Sequence, residues 1–375
     1  MFRDYLSSME ELIEDARNGR MFVLVDAEDR ENEGDLVIPA QMCTPQAVNF
    51  MAKYGRGLIC LALTQERANT LRIPMMTPFN GTPHQTAFTV SIEAKEGIST
   101  GISAHDRAHT IAVAIDATKG PDDITMPGHV FPLIARHGGA LVRAGHTEAA
   151  VDIPRLAGLY PAGVICEIMN DDGTMARLPD LVQFAQLHGL KVGTIADLIA
   201  YRRRYDHFVQ RTVESEFHSH YGGSWRLVVY VNTIEYAEHI ALVKGDLGGP
   251  EPVLVRMHAL NIFSDMLGYA SFEKDVLAES MRIVAEAGRG VVVVLRQTRP
   301  TFVSDVVTRR TADDADRRRV KEYGVGAQIL LDLGITNMIL LTDTPEKKIV
   351  ALDGYGLNIV GTHPIRGHRE GGAAR

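Results

Sequence analysis

Residues 23–40, VLVDAEDRENEGDLVIPA, set an acidic run between two aliphatic ones. From Asp26 to Asp35 stand three glutamates, three aspartates and one arginine. An unbroken apolar run such as MFVLVD, residues 21–26, is the pattern of a strand buried on both faces, so the acids read as a loop between two buried strands. A charge run is most often a solvated loop. Here Asn32 and Gly34 permit unusual backbone geometry and Arg30 sits among the acids, which suits a loop folded around a ligand or cation. Glu31, Glu33 and Asp35 supply the oxygen ligands that a hard cation such as Mg²⁺ takes.

Upstream, residues 8–19 (SMEELIEDARNG) place Met9, Leu12, Ile13 and Ala16 at helical spacing, with Ser8 and Glu11 as a capping box and Gly19 as the stop. Downstream, further strands are expected at 57–63, 87–94 and 162–169, and helices at 44–55, 104–116 and 178–189. Strands and helices mixed in this order imply an α/β (α+β) domain. The charge-dense residues 201–216, YRRRYDHFVQRTVESE, read as a last helix running into a linker, and WRLVVYVNTIEYAEHIALVKGD from Trp225 begins a new β pattern. The expected division is a first domain 1–207, a linker 208–216, a second domain 217–365 and a disordered tail 366–375.

The 375 residues are 45% hydrophobic, enough for two cores, and carry a net charge of -8, which disfavours a nucleic acid or an anionic membrane as partner. The three cysteines, Cys43, Cys60 and Cys166, lie far apart, so neither a disulfide framework nor a cysteine zinc site is indicated. The amino terminus mixes acids and bases where a secretory signal would be apolar, and no run approaches the roughly 18 apolar residues of a membrane span. A cytoplasmic location is expected.

Two other constellations stand out. Residues 126–149, MPGHVFPLIARHGGALVRAGHTEA, gather His129, Arg143, His146, Thr147 and several glycines. Glycines let backbone N–H groups approach a phosphate, arginine adds a charged fork, and histidine serves as base or metal ligand. Glu167 is an acid in the apolar strand AGVICEIM, so it faces water or a polar cavity. Together these residues imply a metal-assisted enzyme acting on a small phosphorylated, hydroxyl-rich substrate.

DAEDRENEGD, PGHVFPL, GGALVRAGHTEA, PAGVICEIMNDDGTMAR and GISAHDRAHT, within residues 5–205, closely resemble 3,4-dihydroxy-2-butanone 4-phosphate synthase, a riboflavin-pathway enzyme. The resemblance implies a three-layer domain with a mixed sheet, and conversion of ribulose 5-phosphate with loss of one carbon as formate. It also implies Mg²⁺ or Mn²⁺, two ions per site, and a homodimer. By motif position Glu31 and His146 would be metal ligands, and His129 and Glu167 the essential acid–base groups, with Asp35 and Glu33 alongside. Arg30, Glu31, Asp35, the stretch Arg143, Ala144, Gly145, His146, Thr147, and Glu167 would hold substrate, helped by Ser103, Asp106, Arg107 and Thr110. The residue types suit the chemistry, since moving a proton beside a ketone makes an enediolate that a divalent cation stabilises.

From about residue 217 the chain resembles GTP cyclohydrolase II, a second mixed α/β domain. That family binds zinc through three cysteines spaced C-x10-C-x-C, but Asn261, Phe272 and Lys274 stand here, and RQTRPT at 296–301 replaces the family's RQEGRG. The region of the family's catalytic aspartate and arginine reads DRRRVKEYG, with Arg319 and Lys321 as counterparts. No zinc and no GTP hydrolysis are expected, with a structural or regulatory role instead; Thr342 and Lys347 leave weak nucleotide binding conceivable. Two other readings stay open: a bifunctional enzyme that also hydrolyses GTP, and a non-catalytic regulatory protein.

Overall fold

Ser8 opens helix α1 (Met9–Arg17): its hydroxyl accepts the Glu11 N–H at 3.3 Å, and the Glu11 carboxylate accepts the Ser8 N–H at 2.9 Å, the capping box expected from sequence. Met9, Leu12, Ile13 and Ala16 form its buried face. The computed structural model describes residues 5–234, 236–268, 275–296, 301–308, 315–343 and 357–365. They divide into two units between Arg203 and Arg204.

The first unit continues with β1 (Phe22–Val25), β2 (Gly34–Pro39), α2 (Pro45–Phe50), β3 (Cys60–Leu63), α3 (Gln65–Thr70), β4 (Ile92–Ala94) and α4 (Ala104–Ile115). Then come β5 (Ile124–Ile134), α5 (His146–Leu156), β6 (Gly163–Glu167), α6 (Leu178–His188), β7 (Val192–Thr194) and α7 (Ile195–Tyr205). The seven strands lie in the order β4-β5-β3-β6-β2-β1-β7. The sheet is mixed: β1–β7 and β3–β5 are parallel, and the other neighbours antiparallel.

Both faces are covered. One core joins alternate strand residues such as Val23, Leu36, Leu61 and Val164 to α2, α4 and α6, and the other joins Leu24, Val37, Cys60 and Ile165 to α1, α5 and α7. That makes three layers and explains why β1, β2 and β3 are apolar without alternation. Each buried Leu or Ile contributes roughly 1.5–3 kcal/mol.

The second unit contains β8 (Val209–Ser219), β9 (Gly223–Asn232), β10 (Ala237–Lys244), β11 (Val253–Ala259), α8 (Ile262–Asp265), α9 (Val276–Ala287) and β12 (Gly290–Leu295). It ends with α10 (Phe302–Val307), α11 (Ala315–Asp332), β13 (Asn337–Leu341) and β14 (Asn358–His363). Its strand order is β14-β13-β11-β12-β10-β9-β8. Val276, Met281 and Val284 of α9 pack on Trp225, Leu242, Val292 and Val294.

Residues 208–216 are not a linker. From Val209 they belong to β8, paired along its length with β9. The misreading has a physical cause: β8 is an edge strand exposed on both sides, so Arg211, Glu214 and Glu216 gave it the charge density of a connector. The helix expected to run on past residue 201 stops at Tyr205. The expected tail, 366–375, lies outside the described residues. Among those residues no helix is long and apolar enough to cross a membrane.

Candidate active site

β1 and β2 form an antiparallel hairpin in which Val25 pairs with Gly34, so residues 26–33 are its loop and Asp35 already belongs to β2. The loop is folded around a buried carboxylate. Asp26 Oδ2 accepts Arg30 Nη1 at 2.8 Å and the Glu31 N–H at 3.1 Å, and its Oδ1 accepts the Glu33 N–H at 2.9 Å. Arg30 also pairs with Glu31, and Arg177 donates to the carbonyl oxygens of Glu31, at 3.0 Å, and Asn32. Asn32 has φ 55°, the left-handed geometry that asparagine tolerates better than most residues.

His146, at the first turn of α5, meets this loop. Its Nε2 lies 3.2 Å from the Leu24 carbonyl oxygen, which can only accept, so Nε2 carries the proton and Nδ1 presents its lone pair. Nδ1 stands 4.0 Å from Glu31 Oε2 and 3.8 Å from Asp35 Oδ1. Asp26, Glu31 and His146 each offer a ligand atom within 4.8 Å of the others. Burial pushes the His146 pKa down, keeping the imidazole neutral and able to coordinate.

Asp35 pairs across the sheet with Glu167, placing two carboxylates on β-carbons about 5 Å apart. Asp35 is buried and its Oδ1 has no hydrogen-bond partner. Burial, and next the Glu167 charge, hold its pKa well above the usual carboxylate value. Glu167 is raised by its own burial, although its Oε2 accepts the Leu58 N–H at 2.8 Å. Glu33 is raised likewise, first by burial and then by Glu31. The close packing of Gly57 on Glu167 excludes any side chain there, because a Cβ would fall 2.5 Å from Glu167 Oε2.

Of the remaining expected groups, His129 is set apart. Its strand β5 and Glu167's strand β6 flank β3 on opposite sides, so β3 lies between the two strands. His129 Nδ1 is instead 2.6 Å from Glu93 Oε2.

Arg143 is held by the buried Glu148 at 2.6 Å, by Thr86 Oγ1 at 3.0 Å and by the His84 carbonyl. Thr147 and Gly145 are buried at the start of α5, and Ala144 is exposed. The glycines of this segment serve packing: a Cβ at Gly139 would meet Asp152 at 2.2 Å, and one at Gly128 the Ile92 backbone at 2.1 Å. Ser103 caps α4 by accepting the Asp106 N–H at 3.0 Å, and Asp106 accepts from Ser99 and Gly101. Thr110 Oγ bridges Glu93 and the Ala94 N–H. Arg107 keeps a buried Nε without a partner.

A family model described as 3,4-dihydroxy-2-butanone 4-phosphate synthase matches residues 10–201, half of the chain, and one described as GTP cyclohydrolase II matches residues 210–364. The chain belongs to the 3,4-dihydroxy-2-butanone 4-phosphate synthase family. The riboflavin biosynthesis protein RibBA of Aquifex aeolicus (strain VF5) is 47% identical over 379 residues, covering 96% of this chain and 92% of that protein. The crystal structure of RibBX, a two-domain 3,4-dihydroxy-2-butanone 4-phosphate synthase from A. baumannii, superposes with a TM-score of 0.73 at 42% identity, covering 96% and 99%. A 3,4-dihydroxy-2-butanone 4-phosphate synthase in complex with two magnesium ions is 41% identical, with a TM-score of 0.52, and covers 54% of this chain and 99% of that one.

Within this synthase family member, two acids near the expected groups escaped the sequence reading, Asp26 and Glu93, whereas Glu148 stands in the Gly145–Glu148 stretch that it singled out. Asp26 lies in the acidic run itself, five residues before Glu31. Glu93 sits in the apolar run AFTVSIEA, the same signal that drew attention to Glu167.

In the cyclohydrolase II-like unit, Asn261 caps α8 by accepting the Phe263 N–H at 3.0 Å. The neighbouring His258 is buried, with Nε2 2.9 Å from Asp265 Oδ2. Phe272, Lys274, Lys347 and residues 297–300 lie outside the described residues, as do the side chains of Arg319 and Lys321.

Proposed function

We propose that the first unit converts D-ribulose 5-phosphate to L-3,4-dihydroxy-2-butanone 4-phosphate and formate in riboflavin biosynthesis, as a Mg²⁺- or Mn²⁺-dependent lyase. The observation that carries this reading is the convergence of Glu31, His146 and Asp35, with Arg30 paired to Glu31 and the buried Asp35 Oδ1 left without a hydrogen-bond partner. A buried carboxylate oxygen without a partner, beside an imidazole lone pair and a second carboxylate, is a donor set for a hard divalent cation. Glu31 and His146 would hold the ion, or two ions as in the magnesium complex of the relative, while Asp26, already accepting three hydrogen bonds, keeps the loop in shape. The bound ion would supply Lewis-acid stabilisation of developing oxyanion charge.

The chain's own groups do the rest. Glu167 and Asp35, whose pKa values burial raises, suit proton removal from, and return to, the carbons beside the ketone. Arg143, held in position by Glu148, and the backbone N–H groups of the first turn of α5 suit the phosphate, with Thr147 and Arg30 beside them. His129, on the strand across β3 from that of Glu167, is the other proton-moving group that the family resemblance implies.

We assign the second unit a structural or regulatory role without GTP hydrolysis or zinc, because it contains no cysteine and carries Asn261 as a helix cap at the first ligand position. All three cysteines of the chain are free thiols, in keeping with a reducing cytoplasm, and a homodimer is the working unit that the family resemblance supports.

The test is to incubate the full chain with ribulose 5-phosphate and Mg²⁺, with and without EDTA, and to measure formate. Formate that disappears with EDTA and returns with added Mg²⁺ is expected. Folded, metal-supplied protein that releases none would overturn the reading.

A further inference from the structure

Glu93 is a buried acid on edge strand β4, 5% exposed, and every described contact of its carboxylate serves a purpose outside the metal cluster. Oε2 accepts the His129 backbone N–H at 3.1 Å and faces His129 Nδ1 at 2.6 Å; Oε1 accepts the Thr110 hydroxyl at 3.3 Å. Gly101, at φ +93°, walls the carboxylate in: a Cβ there would fall 2.1 Å from Glu93 Oε2. Gly101 is itself fixed by its N–H to Asp106 at 3.0 Å, and Asp106 also takes the Ser99 hydroxyl at 2.7 Å.

We propose that Glu93 is a positioning residue for His129, and that the GISAHDRAHT segment acts on the reaction through Glu93. A carboxylate oxygen at 2.6 Å fixes the proton on Nδ1, which fixes the tautomer: Nε2 carries the lone pair. The His129 side chain is 43% exposed and Nε2 makes no hydrogen bond among the described residues, so the ring offers a free, oriented base. The second bond, from the His129 backbone N–H to the same Oε2, holds the carboxylate beside the His129 main chain, where it faces Nδ1. Once Nε2 takes a proton, the carboxylate stabilises the imidazolium it faces.

Glu93 is held as tightly as it holds. Thr110, Gly101 and, behind it, Asp106 leave the carboxylate one place to stand. Ser103, Asp106 and Thr110 thus gain a role without touching substrate. The proposal rests on His129 being a proton-moving group of the synthase reaction, and its test separates the two.

The full chain labelled with ¹⁵N-histidine, with His129→Gln to assign the signal, reports the tautomer without substrate. The wild type is expected to show His129 protonated on Nδ1, and a signal protonated on Nε2 would overturn the proposal by itself. In Glu93→Gln, which keeps the shape but not the charge, kcat for formate release should fall about 10- to 100-fold with KM little changed, and Glu93→Asp should recover part of it. A Glu93→Gln enzyme with the wild-type kcat would overturn the positioning role. If the wild type releases no formate at all, the synthase reading fails, while the tautomer still decides whether Glu93 orients the ring.

Discussion

The two seven-stranded units bury different ionisable groups: carboxylates dominate in the first, and the histidines His239 and His258 are buried in the second. In the first unit Asp26, Glu31, Glu33, Asp35 and Glu167 crowd one region, with Arg30 paired to Asp26 and Glu31 and Arg177 donating to loop carbonyls, and the Asp35 Oδ1 is left without a partner. In the second unit some charges are paired locally, while Trp225 Nε1, His239 Nε2 and His258 Nδ1 are buried without a hydrogen-bond partner. His258 meets Asp265, which also accepts the Asn261 N–H at 2.9 Å, and Arg211 meets Asp332 at 2.7 Å. His239 takes the Arg296 N–H on Nδ1, and burial pushes its pKa down to about 4. Carboxylates of one sign, packed until their pKa values rise, are costly unless something else completes them. The first unit therefore gathers carboxylates whose pKa values burial and one another's charge raise, and the second buries histidines whose pKa values burial lowers.

The comparison breaks most sharply at Glu31. Glu31→Gln keeps the loop's shape, since Asp26 still takes the backbone N–H groups, but removes an anionic group proposed to hold the metal. Formate release from ribulose 5-phosphate should fall by roughly a thousandfold, about 4 kcal/mol of transition-state stabilisation, with little change in Tm. Metal content measured on the same samples should fall with it. A nearly full rate would mean that the acidic cluster is not the metal centre, and the contrast between the sheets would lose its functional meaning.

The second unit offers the opposite test. Full-length protein given GTP with Mg²⁺ or Zn²⁺ should release no formate above the blank, because the first position of the family's cysteine set is here a helix cap and no thiolate is available anywhere past Cys166. Formate from GTP would show that this unit hydrolyses the nucleotide with other ligands, and would restore the bifunctional reading.

Much of this was legible because the first unit's strands are buried on both faces, so a polar residue inside one is conspicuous. The rule that singles out Glu167 applies equally to Glu93, an acid inside the apolar run AFTVSIEA. The capping box of α1 and the loop between the aliphatic runs depend on neighbours in sequence, and they formed where expected. What depends on partners distant in sequence could not be read. The strand order β4-β5-β3-β6-β2-β1-β7 is what separates His129 from Glu167 by a whole strand, and nothing local to either motif encodes it. The edge strand β8 shows the converse error, in which exposure on both sides made a strand look like a connector.

The finest distinction lies within the first unit, between acids raised toward proton transfer and an acid held down for structure. The Ser99 hydroxyl, followed by the Ser99 and Gly101 N–H groups, holds the Asp106 pKa at about 2, below its ordinary 3.8. A carboxyl whose pKa is lowered by folding stabilises the fold fully above the ordinary value and loses that contribution as pH falls through the lowered one. Asp106→Asn should therefore lower Tm by a few degrees at pH 7, with the gap to wild type narrowing below pH 3.8 and closing near pH 2. Turnover at pH 7 should fall less than in Glu93→Gln, since Asp106 reaches His129 only through Gly101 and Glu93. A gap in Tm that stays constant with pH would show that the hydrogen bonds, and not the charge, are what the 99–101 loop requires.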